Sequence, residues 1–262
     1  MKQKVNKQIF FILISCLAVV NATGQTGTPQ QIMTSIYKSY DSTTFLTFDL
    51  KFTYASDTLY GKFSSDKLEG TYTMSGKKAR YNLGNIDFLQ NDSFFITVYN
   101  DDKIILVADP RTNNVGNELP MRQAMDSLIQ AYGQHYNITQ LQDSVSGLGK
   151  INFEKSDSLA QFLNFAITYK LHANLLNSIE YKYEEYDHDD SITTSTIPTL
   201  RKKMLFIEFL NYRGDNFSDS DYSENNFIWF EDGECKPVAK YKDYKIYYSK
   251  SAFNEVQNLP AQ

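Results

Sequence analysis

The sequence predicts an α+β domain, mainly antiparallel β, and three observations lead to that expectation. One amphipathic segment near residue 30 has helical spacing. Most of the chain beyond it alternates apolar and polar residues with a period of two. These runs are short and are joined by Asn, Asp and Gly pairs, which turn one antiparallel strand into the next.

The helix comes first. Thr28 is an N-cap residue, Pro29 takes the first helical position, and Gln31 completes a capping-box spacing. Ile32, Met33, Ile36, Tyr37 and Tyr40 then share one face. The first strand comes next. Leu46, Phe48, Leu50, Phe52 and Tyr54 point one way, while Phe45, Thr47, Asp49, Lys51 and Thr53 point the other. Strands are predicted over 59–64, 68–74, 79–83, 86–90, 93–99 and 103–108. The alternation stops at Asp109-Pro110. A helix is predicted over 118–132, with Met121, Met125, Leu128 and Tyr132 in one stripe and Gly133 as its C-cap. After an irregular stretch, strands resume over 149–154, 162–171, 177–186, 203–212, 225–231 and 238–248. The run through Leu205, Phe206, Ile207, Phe209 and Leu210 is apolar on both faces, which predicts a central strand. Residues 187–200 and 213–224 are acidic, polar loops. Nothing in 23–262 marks a linker, so a single domain is expected there.

Residues 1–22 have the layout of a cleavable secretory signal. Lys2, Lys4 and Lys7 precede an apolar run of 12 residues, Ile9 to Val20, and Val20-Asn21-Ala22 offers a small residue for cleavage. A membrane span needs about 20 apolar residues. Leu13-Ile14-Ser15-Cys16 admits a second reading, a lipobox whose cysteine is acylated; against it, the apolar run continues past Cys16. The expected location is the periplasm of a Gram-negative bacterium, with a lipid anchor at Cys16 as the minority alternative.

Cleavage near Ala22 leaves 23 basic and 31 acidic residues, a net charge of −8. That balance argues against nucleic acid, which calls for a basic footprint, and against docking on anionic lipid by charge alone. It also leaves Cys235 as the one remaining thiol, so stability must come from a core.

The order of elements, with the local segments Ile96 to Pro110 (ITVYNDDKIILVADP), Gly70 to Leu83 (GTYTMSGKKARYNL) and Leu119-Pro120-Met121, resembles the LolA-like family of periplasmic lipoprotein carriers. The resemblance spans about 28–248 and is strongest over 28–132. It implies an unclosed antiparallel β-barrel covered by helices, around an apolar cavity that holds acyl chains. The sequence departs from the family in having Trp229 as its only tryptophan and in its longer second half. It also leaves open which of Lys77, Lys78 and Arg80 stands for the family's basic cavity residue.

On that resemblance the candidate cavity residues are Phe48, Leu50, Phe52, Tyr54, Tyr72, Met74, Ile96 and Val98. A solid core explains the same alternation, so the two readings stand side by side. Lys77, Lys78 and Arg80 form a basic turn suited to a lipid headgroup or a partner's acidic patch; a solvated turn is the plainer reading.

No catalytic residue is assigned. His135, His172 and His188 lie outside any His-Glu-x-x-His pattern, no Gly-x-Ser-x-Gly elbow occurs, and Cys235 has no assignable histidine. The acidic stretches 187–190 and 215–224 lack the spacing of a calcium loop, so no metal or cofactor is expected. Asp-Ser and Asp-Thr pairs at Asp41, Asp57, Asp126, Asp143, Asp157 and Asp190 look like a bacterial O-glycosylation signal. They are equally ordinary turn chemistry. The function expected is a non-enzymatic carrier or binder of lipid or lipoprotein acyl chains, served by membrane-bound donor and acceptor proteins. The alternative is an envelope interaction module of the same fold with a filled cavity.

Overall fold

The computed structural model describes residues 27–57, 63–108, 133–160, 162–187, 199–215 and 217–249. The leader and the helix predicted over 118–132 lie outside the described residues, as do residues 188–198 of the first acidic loop. The chain divides into two compact units, Met1–Ser35 and Ile36–Gln262.

Helix α1, Pro29–Asp41, is the one α-helix among the described residues. Its start is a reciprocal cap. The Thr28 backbone N–H donates to Gln31 Oε1 at 2.8 Å, and the Gln31 N–H donates to Thr28 Oγ1 at 3.3 Å. Two otherwise orphaned donors are thereby satisfied.

In the larger unit the strands are β1 (Leu46–Asp57), β2 (Phe63–Ser75), β3 (Lys78–Leu83), β4 (Ile86–Gln90), β5 (Phe95–Tyr99), β6 (Ile104–Ala108), β7 (Tyr136–Asp143), β8 (Leu148–Lys155), β9 (Asn164–Lys170), β10 (Leu175–Asp187), β11 (Thr199–Arg213), β12 (Ile228–Glu231), β13 (Glu234–Pro237) and β14 (Lys245–Ser249). Twelve of them form one sheet in the order β14-β6-β5-β4-β3-β2-β1-β11-β10-β9-β8-β7, and β12 and β13 pair as a separate ribbon. The edge strands β14 and β7 are not neighbours, so the sheet is unclosed. The fold is α+β, mainly antiparallel β, of the unclosed-barrel type.

Two meanders, β2 to β6 and β7 to β10, meet where β1 pairs with β11. β11 lies in the middle of the sheet, as its two apolar faces require. Gly76 and Gly84, with φ of 57° and 56°, make the tight turns after β2 and β3, where any side chain would be strained. The second half departs from expectation in four places, one of them the unexpected strand β13 at Glu234–Pro237. The stretch before residue 149 contains β7, whose sequence YNITQLQD mixes polar and apolar residues on both faces and is mostly exposed, as an edge strand tolerates. The strand expected over 225–231 shortens to Ile228–Glu231 behind two 3₁₀ turns. Residues 238–248 split into a 3₁₀ turn, Ala239–Tyr241, and β14, which pairs with β6 in parallel.

The register defines two faces. Directly opposed residues share a face, so Phe48, Tyr72, Tyr81 and Phe88 form one row across β1 to β4. Phe52, Ile207, Ile179, Ile167 and Ile151 continue the same face across β11, β10, β9 and β8. The opposite face of β4 to β6 carries Leu89, Ile96, Val98, Ile105 and Val107, all essentially buried. They pack with Tyr222, Phe227, Ile228 and Tyr241 into a solid core. Asn91 helps to dock that covering segment: its amide donates to Tyr222 O at 3.0 Å and to Glu224 Oε2 at 2.8 Å, while its Oδ1 accepts the N–H groups of Ser93 and Phe94.

Candidate ligand cavity

On the first face the larger unit leaves a cavity of about 450 Å³, partly open to solvent. Its wall is built from six strands and the end of α1. β1 supplies Phe48, Leu50 and Phe52, and β2 supplies Tyr72 and Met74. Tyr81 and Leu83 come from β3 and Phe88 from β4. Leu176, Ile179 and Tyr181 come from β10, and Ile207 and Phe209 from β11. Ile36, Tyr37, Tyr40 and Asp41 of α1 complete it.

Rings arranged in a row form one wall. Phe48 and Tyr72 stack with centroids 5.1 Å apart, Tyr72 and Tyr81 at 5.8 Å, and Tyr81 and Phe88 at 4.7 Å. These are cross-strand neighbours, so the strand register itself sets the stacking. Between Leu50 and Leu83 the sheet carries Gly70. A Cβ there would meet the Asn82 carbonyl oxygen at 1.9 Å, so β2 and β3 approach closely only because this residue is glycine.

The cavity is bounded at one end by a circuit of three hydrogen bonds. The Tyr212 hydroxyl donates to Leu176 O at 2.8 Å, the Tyr40 hydroxyl donates to Tyr212 Oη at 2.6 Å, and the Leu176 N–H donates to Tyr40 Oη at 3.3 Å. A phenol has one proton, and Tyr212 spends its own on Leu176; the direction of the circuit follows. Two strand irregularities make room for it. The β1–β11 register shifts between Thr47 and Asp49, opposite Asn211, which has φ of 52°. The β9–β10 register shifts between Leu176 and Ser178. Such bulges re-aim side chains, here Tyr212 and the Leu176 peptide. Burial pushes the Tyr40 hydroxyl up to about 12, and burial with the neighbouring Tyr40 pushes Tyr212 higher still. Burial also raises Tyr72, and raises Tyr181 to about 12.

Of the eight residues expected on sequence to face a cavity, the structure brings Phe48, Leu50, Phe52, Tyr72 and Met74 together on it. Tyr54 is on the same face but beyond the cavity residues. Ile96 and Val98 lie on the other face, in the solid core with Leu89 and Ile105. The basic turn is placed there too. Lys78 Nζ pairs with Asp219 Oδ1 at 2.7 Å, and the Arg80 guanidinium lies over the Phe227 ring at 5.9 Å. Lys77 is exposed, and its carbonyl accepts from Gln90 Nε2 at 3.3 Å. The sequence reading missed the cavity residues of β3, β4, β10, β11 and α1. Their signal was present in the alternation, but only the register shows which row reaches the cavity. Among the described residues no cluster of His, Cys, Asp and Glu could hold a metal. No described helix is long and apolar enough to cross a membrane.

No family model and no curated protein matches the chain. Solved structures do. An uncharacterised conserved protein from Thermus thermophilus aligns at 6% identity over 85% of this chain and 100% of its own, with a TM-score of 0.41. A putative outer membrane lipoprotein-sorting protein domain from Vibrio parahaemolyticus aligns at 8% identity over 74% and 96%, with a TM-score of 0.33. The chain is also similar to a LolA superfamily protein from Nitrosomonas europaea, at 10% identity over 77% of this chain and 100% of that one, with a TM-score of 0.24.

Proposed function

We propose that the protein is a non-enzymatic carrier or binder of acyl chains, exported to the cell envelope by the leader at residues 1–22. The observation that supports it is the cavity itself: about 450 Å³ walled by aliphatic and aromatic side chains on a face that the other described residues of the larger unit leave partly open. That volume is within the range of small-molecule sites. The mechanism is sequestration. Each methylene moved from water into the cavity contributes about 0.8 kcal/mol. The bound chain leaves when a membrane or a partner protein offers an equal refuge. Lipid or lipoprotein acyl chains are the cargo that this lining and the sequence resemblance suggest. Lys78 and Arg80 of the basic turn, engaged with Asp219 and Phe227 of their own chain, are not assigned to the cargo's headgroup.

The test is native mass spectrometry of the full chain purified from its own envelope, followed by solvent extraction. Lipid recovered at near one per protein supports the carrier. A protein that stays lipid-free, and fails to take up an acyl probe after delipidation, leaves the envelope interaction module as the better reading.

A further inference from the structure

We infer that the cavity selects an uncharged long-chain amphiphile, with an ester, amide or alcohol at its polar end, over the free fatty acid of the same length. The inference rests on the acyl-chain reading above and specifies the end of the chain that reading leaves open. The walls around Leu50, Phe52, Ile179 and Ile207 offer only hydrocarbon. The polar atoms of the lining are phenol hydroxyls and the Asp41 carboxyl; among the described residues no lysine or arginine contributes. Lys78 and Arg80, adjacent in sequence to the aromatic row, lie on the far face against Asp219 and Phe227.

A carboxylate brought into this space leaves water and meets no cation among the described residues, which is costly. An ester carbonyl or a hydroxyl meets O–H donors instead. Tyr40 and Tyr212 are spent on their own circuit. Tyr81 and Tyr181 line the cavity, and their hydroxyls have no hydrogen-bond partner among the described residues. The raised pKa of Tyr72 and Tyr181, caused chiefly by burial, reflects the same penalty on an anionic oxygen held here.

The experiment uses the delipidated full chain loaded with the neutral probe N-phenyl-1-naphthylamine, displaced by monopalmitoylglycerol or by palmitic acid below their aggregation concentrations. At about pH 8 the glyceride is expected to displace the probe at about tenfold lower concentration than the acid. The gap should close at about pH 4, where the acid is largely neutral. Palmitate that competes as well as the glyceride at the higher pH overturns the inference while leaving the carrier standing. A chain that binds neither probe nor lipid overturns the carrier reading and this inference with it. In the Tyr81→Phe/Tyr181→Phe variant, the preference for glyceride over acid, read as the ratio of the two displacing concentrations at about pH 8, should shrink several-fold. An unchanged preference removes the hydroxyls from the explanation.

Discussion

The two faces of the sheet's first half meet on strand β4 and end differently. On one face of β4 to β6, Leu89, Ile96, Val98 and Ile105 are fully buried beneath residues 217–248. On the other, the row from Phe48 to Phe88 borders about 450 Å³ of space. Both faces follow from the period of two. What separates them is whether the chain supplies a cover that matches the apolar surface, and residues 217–248 do so for one face only. An apolar alternating strand therefore specifies a buried face without specifying whether its own chain fills it.

The largest effects should come from the filled face. Phe227→Ala is expected to cost about 3–5 kcal/mol in urea unfolding, because a close-packed site collapses poorly around the loss. Ile207→Ala, in the wall of the existing space, should cost much less; equal costs would abolish the distinction between the faces. Gly70→Val comes next. The added side chain meets the Asn82 backbone rather than a movable group, and a loss of about 1–3 kcal/mol or more is expected. Loss of acyl-probe binding in that variant would follow stability. Leu50→Trp separates the two properties. It should fill the cavity, weakening probe binding by about tenfold or more, with a stability change under about 1.5 kcal/mol. Probe binding that survives it would move the ligand site elsewhere.

Tyr212→Phe tests the circuit at the cavity's end. It strips Leu176 O of its donor and Tyr40 of its acceptor, and a loss of about 1–2 kcal/mol in thermal unfolding is expected. The smallest effect is on the polar outer surface. Asp49 accepts from the Asn211 amide at 2.8 Å and, at 3.2 Å each, from Arg213 and Thr71. The Asn211 hydrogen bond first, and the Arg213 and Thr71 contacts with it, hold its carboxyl below the usual range. Its folded-state pKa is depressed, so its contribution is fully present above about pH 4 and is lost as pH falls through the folded value. Asp49→Asn should therefore lie below the wild type in thermal stability at neutral pH, and the two should converge in acid.

Much of this fold was legible in the sequence because local chemistry and global structure agree. The Thr28–Gln31 cap, the alternation of β1, the turns at Gly76 and Gly84 and the two-faced apolarity of β11 all have local causes. The candidate site was half legible. Phe48, Leu50, Phe52, Tyr72 and Met74 follow from β1 and the strand that pairs with it. Ile96 and Val98 alternate as cleanly, yet each strand after β2 carries two apolar or mixed faces, and only cross-strand register decides which faces the cavity. Nor could local pattern show that Tyr222, Phe227 and Tyr241, more than a hundred residues later, cover the reverse of β5. β7, and the parallel pairing of β14 within the strand expected over 238–248, were hidden for the same reason: their partners, not their composition, decide them.

The seam between β1 and β11 has a consequence for how the protein is made. Thr47 is matched with Arg213, and Ile104 with Lys245, so the centre and one margin of the sheet join early residues to late ones. Hairpins from β2 to β6 can form as the chain emerges, but such distant pairings come slowly. A polypeptide cut short before residue 199 would present β1 as a bare, apolar border and would lack Tyr212. Its expected fate is self-association through that border rather than service as a smaller version of the whole.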